Sequence, residues 1–562
     1  MNKMIIKFKV ELKIRNSIVY VPIKMQIEKL NNIYPLLLFV CVFLWISISI
    51  VPLNIHEDGI NHLLIAREIV ETGKIQSHFP YYIMDIRNGE KIYYPITSPE
   101  ISHILIGLFY IIGGENFVKF YSPLCGALTA IFIYFILIDL DKFVAIFCII
   151  LTIMVNSLKF MIISPLLEQH LLATTIMCIY FYYLSLKKPS YKYTVIAGIF
   201  LGISMAIKQQ GLSLFATIVF YDILKSFFDI MKNRKRYNML LIVIISFVVA
   251  FLPLYDLVVR NGTIDFVPSD HLLVPFLRPK YVANMESIIE KNRLAYYWSN
   301  YSSPLDVIKA YFYYPIYYYY SHREREMRLQ ESVWVFIFLI TISGWIFLYK
   351  KDKLLFSFLL ALFIGQIFLT YYTNTPVYAY HVIGLTTLCI FLSTGIKYIM
   401  QLTKNKFASL AILTLFLAVM INQNIFYILP YHNSEELDNI HLNSYKNLSQ
   451  FIENKNIPKD AVIIGFPSAF KYYCRRDQLW LNEGGGSKIP LIFWSNNLSV
   501  SLYWLRYYNA SYIFIDTYQI DAYGIDCIPS SGLLSYIDKS PYFKKIYDDN
   551  VLRLYEIVYN ED

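Results

Sequence analysis

The sequence predicts a polytopic, all-α membrane domain of about eleven transmembrane helices, followed by a C-terminal extracytoplasmic α/β domain. Three observations predict it. Only 16% of the 562 residues are charged, against about 25% in soluble domains that must cover a wet surface. Mean hydropathy is +0.44, and the apolar residues fall in long blocks. From residue 431 onward the pattern changes to short apolar runs separated by helical stretches. A single water-facing globule is excluded on these grounds.

The N-terminal segment, 1–33, is basic, with Lys3, Lys7, Lys9, Lys13, Arg15, Lys24 and Lys29. No small-residue exit site follows, so the first apolar block reads as a permanent span. The net charge of +9 does not mark a nucleic-acid binder. Its lysines and arginines lie at the N-terminus and in short links, where they set membrane orientation, rather than on one basic face.

The transmembrane domain, 34–430, contains apolar blocks at 35–53, 117–138, 143–158, 168–186, 193–207, 212–224, 239–257, 333–349, 354–372, 378–396 and 407–429. A span needs about 20 such residues. The stretch 101–113 is too short for one and reads as a helix lying at the outer surface. Without it as a span, Lys187-Lys188, Lys232 to Arg236, Lys350-Lys351 and Lys397 to Lys406 all share the side of the basic N-terminus, which positive-inside bias makes cytoplasmic. The outer side then receives loops at 54–116, 159–168 and 258–331, and the domain 431–562.

That last domain reads as a helix over 437–455, strands over 461–466 and 512–516, and a hairpin around Asp548-Asp549-Asn550. Gly484-Gly485-Gly486 reads as a flexible loop. Cys474 and Cys527 either pair or remain thiols; the other five cysteines lie in apolar blocks, and no spacing resembles a zinc site.

The chemistry concentrates in the first outer loop. His56-Glu57-Asp58-Gly59-Ile60-Asn61-His62 sets two carboxylates and two imidazoles just beyond the first span. Ile60, Leu63, Leu64, Ala66, Ile69 and Val70 follow at helical spacing, with Arg67, Glu68 and Glu71 opposite. This predicts an amphipathic helix at the interface, its charges toward water. Structural roles are available too: Asp58 suits a helix N-cap, and Glu57 a solvated charge.

Asp58, then Ala66-Arg67-Glu68-Ile69 and Glu71-Thr72-Gly73, resembles the first-loop signature of GT-C fold membrane glycosyltransferases. Within that fold the pattern is similar to the lipid A aminoarabinose transferases and the protein O-mannosyltransferases. Asn88-Gly89, Tyr93-Tyr94-Pro95 with Pro99, and Ala197-Gly198-Ile199 with Gly202 and Lys208 resemble later family segments. The likeness covers about residues 35 to 225. Two departures stand out. The acidic pair runs Glu57 then Asp58 instead of Asp then Glu, and Tyr94 precedes Pro95 where some relatives place a phosphate-binding lysine.

The resemblance implies transfer of a hexosyl or pentosyl group from a polyprenyl-phosphate-sugar donor to a lipid, glycan or protein acceptor, among membrane lipids and without nucleic acid. Asp58 would be the catalytic general base, with inversion at the anomeric carbon. Glu57, Arg67, His103, Lys159, Glu168 and Lys208 would bind substrate, the cations holding the leaving phosphate. Lys91 is a further candidate cation. No cofactor is required and no metal site is assigned; a divalent cation held by Glu168 with Asp58 is the alternative. In the third loop Tyr296-Tyr297-Trp298, the run Tyr311 to Tyr320 and His322-Arg323-Glu324-Arg325 form either an interfacial aromatic belt or a sugar-stacking wall. The competing functions are a flippase or transporter for lipid-linked sugars and a non-catalytic glycolipid-binding protein. The Trp-Trp-Asp-Tyr-Gly motif of oligosaccharyltransferases is absent.

Overall fold

The computed structural model describes residues 8–14, 17–23, 27–50, 57–75, 78–87, 89–95, 101–155, 167–188, 190–208, 210–229, 237–261, 331–373, 382–403, 441–465, 468–479, 489–517 and 532–559, with isolated positions between 305 and 312 and between 405 and 416. The N-terminal segment forms a hairpin of β1 (Phe8–Ile14) and β2 (Ser17–Ile23). Ten helices then correspond to the first ten apolar blocks: α1 (Ile27–Ile50), α4 (Tyr121–Leu137), α5 (Lys142–Met154), α6 (Leu167–Lys187), α7 (Tyr191–Ile207), α8 (Gln210–Asp229), α9 (Tyr237–Asn261), α10 (Glu331–Lys351), α11 (Lys353–Thr373) and α12 (Val382–Leu402). Helical positions between 407 and 416 fall in the eleventh block.

These helices pack into one bundle with an apolar core. Trp45, Val248, Phe251 and Phe368 remain exposed on its outside, as lipid-facing residues do in a membrane protein. In lipid, helix association depends on close packing rather than hydrophobic drive, so small residues mark the contacts. A Cβ on Gly202 of α7 would meet the Ser246 carbonyl of α9 at 2.6 Å. One on Gly344 of α10 would meet the Phe391 carbonyl of α12 at 2.0 Å. At one end of the bundle Lys187 meets Asp139 at 3.3 Å and Lys397 meets Asp141 at 2.9 Å. The Tyr183 hydroxyl donates to Asp352 there at 2.5 Å.

The opposite end carries the first outer loop. It comprises α2 (Glu57–Thr72), β3 (His78–Arg87), β4 (Glu90–Pro95) and α3 (Ile101–Val118). Gly89, at φ +83°, makes the β3–β4 turn, a conformation that favours glycine. Among the described residues α3 and α12 are long and apolar enough to cross a membrane. However, α3 loses helical geometry at Gly113 and Gly114. Its unbroken part, twelve residues at 1.5 Å each, is about 18 Å long, well short of a bilayer core of about 30 Å. Its Gly107 lies against Val70 and Ala66 of α2, so the two helices pack as a layer.

Helix α13 (441–454) is followed by β5 (Ile463–Gly465), α14 (Ser468–Cys474), β6 (Gln478–Leu479), α15 (Ile489–Trp494), α16 (Leu498–Tyr507), β7 (Tyr512–Asp516), β8 (Phe543–Asp548) and β9 (Leu552–Ile557). Seven strands form one sheet in the order β4-β3-β6-β5-β7-β9-β8. The first outer loop thus supplies two strands to the sheet of the C-terminal region. Parallel pairing sets Tyr82 opposite Gln478 and Ile83 opposite Leu479. The sequence treats these as separate outer pieces, because β6 is two residues long and β3 has no apolar alternation to announce a buried partner.

Cys474 is a buried free thiol, its pKa raised by burial. Cys527, the Gly484-Gly485-Gly486 run, the aromatic runs of the third loop apart from Phe312, and Lys232 to Arg236 lie outside the described residues; Phe312 is buried in the bundle core.

Candidate active site

Glu57 and Asp58 form the first turn of α2; their side chains lie outside the described residues. His62 comes one turn later, on the same face as Asp58. Its Nδ1 lies 3.0 Å from Nε2 of His103 on α3, with the two rings 5.2 Å apart. His103 is fully buried, and its Nδ1 has no hydrogen-bond partner among the described residues. Beside it the Ser102 hydroxyl meets Nδ1 of His170 at 2.8 Å. His170 belongs to a polar triplet, Glu168-Gln169-His170, that opens the apolar α6 and is buried throughout. The carboxylate of Glu168 engages the ammonium of Lys208, the residue at which the chain leaves α7 in an extended conformation. Burial, then the charge of Lys208, pushes the His62 pKa down to about 3. At neutral pH His62 is therefore an uncharged imidazole.

Four helices thus converge at this end of the bundle. They bring together His103, Glu168, Lys208 and the helix whose first turn holds Glu57 and Asp58. The arrangement offers a helix-borne acid, a neutral imidazole pair and a charge pair at the edge of an apolar bundle. Among the described residues no three His, Cys, Asp or Glu side chains gather as a metal site.

Arg67 is placed elsewhere than expected. It is 4% exposed, where a solvent-facing charge was predicted. Its Nη1 donates to the Tyr472 carbonyl of α14 at 2.8 Å, and its guanidinium lies 4.4 Å from the centre of the Tyr472 ring. Glu68, buried as well, accepts from the Tyr81 hydroxyl at 3.4 Å. Glu71 takes two bonds from Arg475, at 3.1 and 2.9 Å. The physical reason is α14: it covers the face of α2 that a lone interfacial helix would turn to water. The arginine's hydrogen bond and ring contact fasten that seam.

Lys91 is likewise occupied, donating to Asp477 at 2.7 Å and to the Asp460 carbonyl at 2.5 Å. Tyr93 also donates to Asp477, at 3.0 Å; burial and that carboxylate raise its pKa to about 12. Lys159 lies outside the described residues.

Sequence reasoning left His62, Ser102 and His170 without roles. The usable signal was polarity inside apolar helices: Glu168-Gln169-His170 heads a span, and such groups in membrane segments are functional candidates by default.

Residues 98–253 match the family described as dolichyl-phosphate-mannose-protein mannosyltransferase. No curated protein sequence matches the chain. Among solved structures, ArnT from Cupriavidus metallidurans bound to undecaprenyl phosphate superposes with a TM-score of 0.57 at 12% identity, covering 94% of this chain and 99% of that one. The archaeal oligosaccharyltransferase AglB from Archaeoglobus fulgidus, in complex with an inhibitory peptide and a dolichol-phosphate, gives 0.57 at 13% identity, covering 92% and 73%. The mycobacterial arabinofuranosyltransferase AftD gives 0.51 at 10% identity, covering 94% and 40%. The chain therefore has the fold of the GT-C membrane glycosyltransferases, which supports a membrane location.

Proposed function

We propose that this chain is an inverting glycosyltransferase. It moves a sugar from a polyprenyl-phosphate carrier to an acceptor hydroxyl at the extracytoplasmic membrane face. One observation carries the reading: Glu168, Lys208 and the His62–His103 pair meet beside the helix that begins with Glu57 and Asp58. A reaction at the membrane edge between a lipid-held phosphate and a hydroxyl needs a base, a cation and a water-poor setting, and that grouping supplies them.

In this mechanism the carrier's lipid tail stays in the bilayer. Asp58 accepts the proton of the attacking hydroxyl, a contribution of about 10²–10⁴-fold. The new bond to the anomeric carbon forms opposite the breaking bond to phosphate, and the bonding pair leaves on the phosphate oxygen. Lys208 stabilises that charge, with Glu168 holding its ammonium in place until substrate arrives. The reaction needs no cofactor, because a phosphate departs with its charge already delocalised.

The orientation supports this placement. The pairs Lys187–Asp139 and Lys397–Asp141 gather basic links at the end of the bundle away from Glu168, as a cytoplasmic face requires. In this reading the chain has about eleven spans, a cytoplasmic N-terminus and an extracytoplasmic region 431–562, with β3 and β4 of the first loop joined to its sheet.

The test is sugar transfer by protein in nanodiscs supplied with polyprenyl-phosphate sugars extracted from host membranes. Asp58→Asn is expected to lower transfer by about 10³-fold. Glycolipid and glycoprotein profiles identical with and without the chain would remove the enzyme and leave a binding protein or a flippase.

A further inference from the structure

Two imidazoles sharing one hydrogen bond inside a protein must choose their tautomers together. If His62 donated from Nδ1, His103 would carry its proton on Nδ1, which is buried and has no partner among the described residues. If His103 donates from Nε2, only a lone pair is stranded there. An orphaned buried N–H is the rarer and costlier outcome. The contact at 3.0 Å is therefore assigned as His103 Nε2–H to His62 Nδ1. His62 then carries its own proton on Nε2, at the ring edge away from His103. His62 is a part-buried residue, unlike the fully buried His103, and the ammonium of Lys208 is close enough to act on it electrostatically. An anion drawn to Lys208 enters the same electrostatic neighbourhood as His62. Asp58 and His62 stand four residues apart on one face, about 6 Å along the helix. That separation suits a base on one side of a reacting carbon and a leaving oxygen on the other.

We propose that His62 is a further catalytic residue, donating its Nε2–H to a phosphate oxygen of the departing carrier, and that His103 is the positioning residue that fixes this tautomer. The inference rests on the glycosyltransferase reading above and deepens it. His62 gives a hydrogen bond and no proton: the acceptor proton goes to Asp58, the acceptor oxygen bonds the anomeric carbon, and the phosphate oxygen leaves with the electron pair.

The experiment uses the full chain in nanodiscs with the extracted polyprenyl-phosphate-sugar pool. His62→Ala is expected to lower kcat about 10²-fold, the usual cost of one lost donor to a developing oxyanion. KM for the donor should stay within about threefold, the split expected of an interaction made mainly in the transition state. His62→Gln, whose amide nitrogen reaches the place of Nε2, should recover most of the rate, and His62→Asn should not. His103→Gln should keep activity where His103→Ala loses it. His62→Ala turning over like the unmodified protein, in a preparation where Asp58→Asn shows its expected loss, overturns the role of His62. Equal recovery by Asn and Gln overturns the Nε2 assignment. Full activity of Asp58→Asn overturns the glycosyltransferase reading itself.

Discussion

The two halves of α2 do different work with similar residues. The first half, Glu57 to His62, meets α3 and the ends of two spans, and His62 there is a part-buried residue. The second half, Ala66 to Glu71, is closed by ion pairs and a ring contact to the C-terminal region. Both halves hold polar groups at an apolar boundary. The difference lies in what those groups face. The second half sets its charges against one another and against Arg475, although Nε and Nη2 of the buried Arg67 make no hydrogen bond among the described residues; the first half faces the Glu168–Lys208 pair, where an anionic ligand has a charge to meet.

Substitutions can break that contrast. The largest effect is expected in the first half: Asp58→Asn should lower transfer by about 10³-fold, within the range for a lost general base, with an unchanged unfolding midpoint in detergent. A matching fall in both quantities would erase the distinction. Lys208→Met comes next, because it leaves Glu168 buried and unpaired. Breaking such a pair costs about 3 kcal/mol, so both the unfolding midpoint and the transfer rate should fall. The double change Lys208→Met with Glu168→Gln should recover the midpoint but not the rate.

In the second half, Arg67→Met should cost about 2 kcal/mol through loss of a charge-assisted hydrogen bond, and reduce transfer less than tenfold. A loss of transfer as deep as that of Asp58→Asn, at unchanged stability, would move Arg67 back among the substrate ligands.

A pH titration sharpens the comparison further. The folded pKa of His62 is about 3, against 6.5 when unperturbed. Between those values the unfolded chain holds the extra proton, so stability falls as pH is lowered through this window. His62→Gln should flatten the slope of midpoint against pH, and identical slopes would show that His62 is not held neutral. The smallest effect is expected for Arg475→Ala, whose pair with Glu71 is substantially exposed; such pairs contribute under about 1 kcal/mol.

The sequence by itself determined the membrane class, the ten helices α1 and α4–α12, and the position of an acidic turn after the first of them. It could do so because lipid imposes a length and an apolarity on each span separately, and those are local properties. It also marked the strand at 512–516 and the hairpin at 543–559, where apolar runs and an Asp-Asp-Asn turn are contiguous. Only the tertiary structure decided that β3 and β4 enter the C-terminal sheet, that Arg67 and Lys91 serve the seam, and that Glu168 and Lys208 are partners. Each of these joins residues 40 to 405 positions apart in the chain, and no local pattern records such a meeting. The fate of a charge is set by what covers it: α14 covers Arg67, while Lys208 meets Glu168 at the end of α7, close enough to act on His62 of α2.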